Sequence, residues 1–192
     1  MIIIGLTGPT GAGKSSLKPI AEKLGYKVID CDKTARQAVK QGTKGLIALV
    51  STFGEDILLS DGSLNRKALA QKAFSTPQNT ELLNKTLLPF ITELVLKECE
   101  GDKILLDAPT LFESGLDAKC TATVGVLADR NTRLERIKSR DNISEPQALI
   151  RINAGKTDEF YKKNADHIIY NNGDPIEFQR EFGVILSRYK ER

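Results

Sequence analysis

The string Gly8-Pro-Thr-Gly-Ala-Gly-Lys14-Ser15 constrains this chain more than any other feature. It matches GxxxxGK[ST], and its flanks are those the motif requires. Residues 2 to 7, Ile-Ile-Ile-Gly-Leu-Thr, are a short aliphatic run, the pattern of a strand buried on both faces of a parallel sheet. From Lys14 to Leu24 the apolar positions Leu17, Ile20, Ala21 and Leu24 follow helical spacing, and Gly25 stands where a helix commonly stops. Strand, glycine loop and helix in that order make a cradle for a nucleoside triphosphate. Gly8, Gly11, Ala12 and Gly13 supply backbone N–H groups that curl around phosphate oxygens, where a Cβ would block the approach. The helix aims its positive end at the same anion. Lys14, expected to face solvent without nucleotide, bridges the β and γ phosphates; Ser15 supplies the hydroxyl for Mg²⁺, and Ser16 reaches a further phosphate. Gly155-Lys156-Thr157 is rejected as a second such loop, because the position five before Gly155 is Ile150 and no strand feeds it.

Further strands are expected at Tyr26 to Asp30, Ile104 to Asp107, Thr123 to Leu127 and His167 to Tyr170, with helical patterns between them. This alternation predicts an α/β chain, a three-layer phosphate-loop fold on a five-stranded parallel sheet. The stretch from 34 to 102 is different: it strings helical segments together without a convincing strand, so a helical acceptor-binding insertion is expected there, with 1–33 and 103–192 forming the core. Asp61-Gly62 and Thr76-Pro77 mark turns inside it, and a long helix runs to about residue 100. Within about 139–165 charge rises and aliphatics thin, as in a lid.

Composition narrows the partners. At 192 residues the chain is one domain or one domain with an insertion, against a prior of about 150 residues per domain. The net charge of +3 is too weak to imply a nucleic-acid or membrane surface. The three cysteines have no CxxC, so neither a disulfide framework nor a zinc site is expected, and a cytoplasmic setting fits. The initial Met-Ile-Ile-Ile run is too short for a signal peptide, and no stretch approaches the roughly 20 apolar residues of a membrane span.

Among phosphate-loop classes, a GTPase lacks its NKxD: the nearest string, Asn84-Lys85-Thr86-Leu87, has no Asp and lies in a helical pattern. A motor or transporter ATPase normally brings a larger domain and an acidic pair after a long apolar strand, where this chain has a single Asp107. A small-molecule kinase remains, since phosphoryl transfer mainly requires positioning, charge neutralisation and exclusion of water. Asp30 and Asp32 close the second strand, at the end of a parallel sheet where ligands bind. Either both cap the next helix, or one accepts the proton of an acceptor hydroxyl, with Asp32 the better placed. Arg36, one turn on, could pair with either carboxylate or meet an acceptor phosphate.

Gly5-Leu-Thr-Gly-Pro-Thr-Gly-Ala-Gly-Lys-Ser-Ser, Val28-Ile-Asp-Cys-Asp32 with Ala35-Arg36, and Asp107-Ala-Pro109-Thr-Leu-Phe-Glu113 resemble the dephospho-CoA kinase family, and the resemblance runs almost end to end. Phe53-Gly54, Asn65-Arg66, Leu83-Asn84 with Pro89, Arg136, Arg140-Asp141, Arg151-Ile152, Ala165-Asp166 and Asn171-Asn172-Gly173 also fall in the family's order. The resemblance implies a nucleoside monophosphate kinase-like fold. It also implies transfer of the ATP γ-phosphate to the ribose 3′-hydroxyl of dephospho-CoA, the last step of coenzyme A synthesis, with Mg²⁺. It makes Asp32 the catalytic base, places Gly11 to Ser16 on ATP, makes Arg140 and Arg136 lid arginines at the transferring phosphoryl group, and sets Pro109 and Glu113 along the acceptor pocket. Asp107 is then either a second-sphere magnesium partner or only the polar end of a strand.

The chain departs from the family at Leu88, usually histidine, at Thr110, usually leucine, and at Gly155, usually glutamine. These departures touch the acceptor and lid sides. They leave open a kinase for another nucleotide-like acceptor, or a non-catalytic sensor of ATP and a CoA-like ligand. The single His167 is expected to be structural, and the chain a monomer or weak homo-oligomer.

Overall fold

Strand β1 (Ile2–Thr7) is buried at all six positions, as an aliphatic run covered on both faces must be. The computed structural model describes residues 1–189. After the phosphate loop the chain makes a 3-10 turn over Lys14–Leu17 and only then enters α1 (Lys18–Lys23). The single helix expected from Lys14 is therefore two pieces. Pro19, in the first turn of α1, has no N–H to bond back to residue 15, so the α-helical ladder cannot run through it. Gly25, at φ 82°, ends the segment.

The remaining order is β2 (Lys27–Asp30), α2 (Cys31–Ala38), α3 (Lys44–Phe53), α4 (Arg66–Ala73), α5 (Pro77–Glu98), β3 (Lys103–Asp107), β4 (Ala122–Leu127), α6 (Arg130–Asp141), α7 (Glu145–Asn153), α8 (Asp158–Asn164), β5 (His167–Tyr170) and α9 (Pro175–Arg188). Every expected strand is present, in one five-stranded sheet of order β2-β3-β1-β4-β5. β1 runs parallel to β3, with Leu6 opposite Asp107, and parallel to β4, with Leu6 opposite Val124. β1 is thus central, and the loop that leaves it lies where the strand order reverses, the place at which open α/β sheets bind ligands.

The chain divides into two compact units, one of residues 1–29 and 100–192, the other of residues 30–99. The first holds the sheet, and its core joins Ile4, Leu6, Leu17, Val124, Ile169, Phe178 and Phe182. The second is helical; among its described residues the only pairing of strand type is an isolated bridge between Leu58 and Leu64. Its core gathers Val39, Leu49, Phe53, Ile57, Leu69 and Ala73. Thr76 caps α5 by accepting from the Asn79 N–H at 3.1 Å, and Pro77 follows at the position where a missing N–H costs nothing. The Asn84-Lys85-Thr86-Leu87 string lies inside α5. At the start of the 139–165 stretch, α6 and α7 are joined by a small apolar cluster of Ile137, Ala148 and Ile152. Gly155 follows the end of α7, and Lys156-Thr157 leads directly into α8, whose cap is Thr157.

Candidate active site

The loop from Gly8 to Ser16 is held by its carbonyls. Lys14 Nζ donates to the Gly8 carbonyl at 2.6 Å, Arg133 Nε to the Thr10 carbonyl at 3.0 Å, and Asn171 Nδ2 to the Ala12 carbonyl at 2.9 Å. Lys14 is accordingly half-buried and folded back onto its own loop, not turned to solvent as expected. The glycines answer to this wall as well as to phosphate. Gly11 and Gly13 have φ of 79° and 96°, and a Cβ on them would sit 2.8 Å from the Arg133 carbonyl and 2.1 Å from Asn171 Nδ2. Ala12 is buried, whereas Ser15 and Ser16 are exposed, Ser16 Oγ donating to the Gly13 carbonyl at 2.9 Å.

Both family arginines stand on α6. Arg136 lies against the loop: its Nη2 donates to the carbonyl and Oδ1 of Asn171 at 3.0 and 3.2 Å, and Nη1 reaches the Ala12 carbonyl at 3.4 Å. Arg140 is 60% exposed and forks onto Asp141 through Nε at 2.8 Å and Nη2 at 2.9 Å. That contact raises the guanidinium above its ordinary value and holds the Asp141 carboxyl below its own. Arg151 of α7 also reaches Asp141.

At the end of β3, Asp107 is 9% exposed; its Oδ2 meets Lys18 Nζ at 2.5 Å, and its Oδ1 is buried with no hydrogen-bond partner. Pro109 follows, its carbonyl accepting from Thr7 Oγ1 at 3.2 Å; Thr110 is exposed and Glu113 half-buried. Burial, and after it the charge of Glu113, pushes the Tyr161 hydroxyl up to about 12.

In the helical unit, Asp30 is the N-cap of α2, accepting from the Lys33 N–H at 3.0 Å. Asp32 stands in the first turn of α2 and is exposed. Arg36 is one turn further on the same face, and it borders a cleft of about 260 Å³ with Arg66, walled by Val39, Leu64, Leu69 and Phe74. Leu88, on α5, is half-buried. A larger groove of about 650 Å³ between α1 and α9, lined by Ile20, Leu24, Ile176 and Arg180 among others, contains no residue of the phosphate loop.

His167 bonds through Nε2 to Tyr189 Oη at 2.7 Å, a structural role for the only histidine. Sequence reasoning passed over Arg133 and gave neither Asp158 nor Asn171 a role at the loop. One signal was available for Arg133: Arg133, Arg136 and Arg140 are spaced three and four apart, which lines them along one helix face.

Among the described residues no helix is long and apolar enough to cross a membrane. A family model described as dephospho-CoA kinase matches residues 2–177. A dephospho-CoA kinase of Pseudoalteromonas translucida is 40% identical over 173 residues, 88% of this chain and 82% of that protein. One of Oryza sativa subsp. japonica is 36% identical over 199 aligned positions, covering 100% of this chain and 86% of that protein. The solved dephospho-CoA kinase from Campylobacter jejuni superposes with a TM-score of 0.69 at 25% identity, covering 97% of this chain and 96% of that one. A phosphate loop at the reversal point of a β2-β3-β1-β4-β5 sheet, in a chain matched over nearly its whole length, places this protein in the dephospho-CoA kinase family.

Proposed function

We propose that the chain transfers the γ-phosphate of ATP to the ribose 3′-hydroxyl of dephospho-CoA, releasing ADP and coenzyme A. The observation that carries the reading is the Gly8–Ser16 loop, its Thr10 and Ala12 carbonyls tied back by side chains, in a member of this family. ATP lies with its phosphates on Gly8, Gly11, Ala12, Gly13, Ser15 and Ser16. Lys14 exchanges the Gly8 carbonyl for the β and γ phosphates. Arg136, already at the loop, neutralises phosphate charge there, and Arg140 does so after leaving Asp141. Asp32 accepts the proton of the 3′-hydroxyl while that oxygen bonds to the γ-phosphorus and the bond to the β,γ-bridging oxygen breaks.

For the acceptor, the cleft bordered by Arg36 and Arg66 has the chemistry dephospho-CoA requires: guanidinium groups for its pyrophosphate and an apolar wall for its pantetheine arm. Pro109 and Glu113 belong to the acceptor side as well. The residues fit Mg²⁺, which prefers oxygen donors and keeps several waters: the Ser15 hydroxyl would hold it, and the unpartnered Oδ1 of Asp107 would accept from one of its waters. When bound, the ion spreads the charge of the phosphates. Residues 34–102 are read as the acceptor domain and about 139–165 as the lid, in a cytoplasmic enzyme.

The test is ADP formation with and without dephospho-CoA, with the product identified by mass. ATP consumption that requires dephospho-CoA and yields coenzyme A is expected. Turnover of a nucleoside monophosphate instead, or ligand binding with no turnover, would overturn it.

A further inference from the structure

Three successive alternate carbonyls of the phosphate loop, those of Gly8, Thr10 and Ala12, accept from side chains. Two of those donors, Lys14 and the Arg136–Asn171 pair, belong to the nucleotide site already described. The third is Arg133, at 5% exposure one of the few buried charged side chains among the described residues. Its guanidinium is spent in two directions. Nε holds the Thr10 carbonyl at 3.0 Å, and Nη1 meets Asp158 Oδ1, in the first turn of α8, at 3.4 Å. Burial lowers the proton affinity of the guanidinium while Asp158 raises it, and an arginine so placed stays charged.

We propose that Arg133 is a positioning residue for phosphoryl transfer, its Nε keeping the Thr10 carbonyl turned from the anion so that the loop's N–H groups are aimed before ATP arrives. A peptide that flips presents its carbonyl dipole to a phosphate in place of its N–H, exchanging attraction for repulsion. Fixing the carbonyl removes that alternative in advance, which is the preorganisation on which electrostatic catalysis depends. Asp158 neutralises the buried cation, so that the brace introduces no unpaired charge beneath the loop. The inference rests on the reading that the loop holds ATP.

The atoms of Arg133 allow the carbonyl tie to be separated from the charge. The amide nitrogen of glutamine occupies the same place along its side chain as Nε of arginine, whereas methionine matches the length and offers no donor. Calorimetric titration with ADP is therefore compared among wild type, Arg133→Gln, Arg133→Met and Asp158→Asn. Arg133→Met should weaken ADP binding roughly tenfold, the size of one charge-assisted hydrogen bond, with Arg133→Gln within about threefold of wild type. Asp158→Asn should also stay within about threefold. Melting temperatures are read alongside, because a merely structural arginine would lower them in both Arg133 variants without separating the two in ADP affinity. Methionine binding ADP like wild type, or glutamine losing as much as methionine, would overturn the brace. If methionine fails to fold, glutamine decides: near-wild-type affinity supports the tie and a tenfold loss refutes it. A wild-type chain that does not bind ADP would instead overturn the nucleotide reading, and the brace with it.

Discussion

Asp30 and Asp32 are two residues apart and chemically identical, and the fold gives them different work. Asp30 is committed to the backbone of α2 through the Lys33 N–H. Asp32, one turn before Arg36, is exposed in the first turn of α2, and the proposed function makes it the base. Asp32→Asn should therefore lower kcat by about 10² to 10⁴ with ATP affinity little changed, the usual size of a general-base effect. Asp30→Asn should instead lower the melting temperature only slightly, since asparagine is nearly as good a cap, and leave kcat within a few-fold. Steady-state kinetics of the two variants check this, and a larger kcat loss at Asp30 would reverse the roles. The pair shows what one chain of letters leaves open: either Asp after the strand could cap the helix, and the Lys33 N–H shows that Asp30 does. Lys14 carries the same lesson, since its motif names its ligand but not where the ammonium rests without one.

At the scale of elements, α6 and α7 meet through the apolar cluster around Ile137 and Ile152 and through Asp141, which takes Arg140 on one side and Arg151 on the other. The arginines hold the Asp141 carboxyl below its ordinary value, chiefly through the Arg140 hydrogen bonds. The folded chain thus binds that proton less readily than the unfolded one, so the stabilisation is whole above the ordinary aspartate value of about 3.9. It shrinks as the pH falls below that value, and is lost once the pH has passed the depressed folded one. Asp141→Asn should accordingly melt at a modestly lower temperature than wild type near neutral pH, with the two curves converging in acid, as a pH series of thermal unfolding would record. Equal melting temperatures at neutral pH would mean the pair contributes nothing. Strands β1, β3 and β4 were legible as elements because burial on both faces writes itself as aliphatic runs. Helix α1 was not, because one proline divides a pattern whose apolar spacing continues through it.

On the scale of the whole molecule, the helical unit has its own core, in which Leu49 is fully buried. Leu49→Ala should cost about 2 to 5 kcal/mol, the range for truncating a buried leucine. Because the phosphate loop belongs to the other unit, acceptor-dependent turnover should fall while ADP affinity is retained; thermal unfolding and ADP titration measure the two, and an equal loss of ADP affinity would refute the separation. By itself the sequence determined the cradle and its strand, the five strands and the family, since each depends on residues close along the chain or on spacings that chemistry makes recognisable. Only the tertiary structure decided what stands against the cradle. Arg133 is 123 residues from Thr10 and Asn171 is 159 from Ala12, distances over which no local pattern speaks. A backbone carbonyl, which every residue carries, leaves no mark in the sequence to say which side chain will hold it.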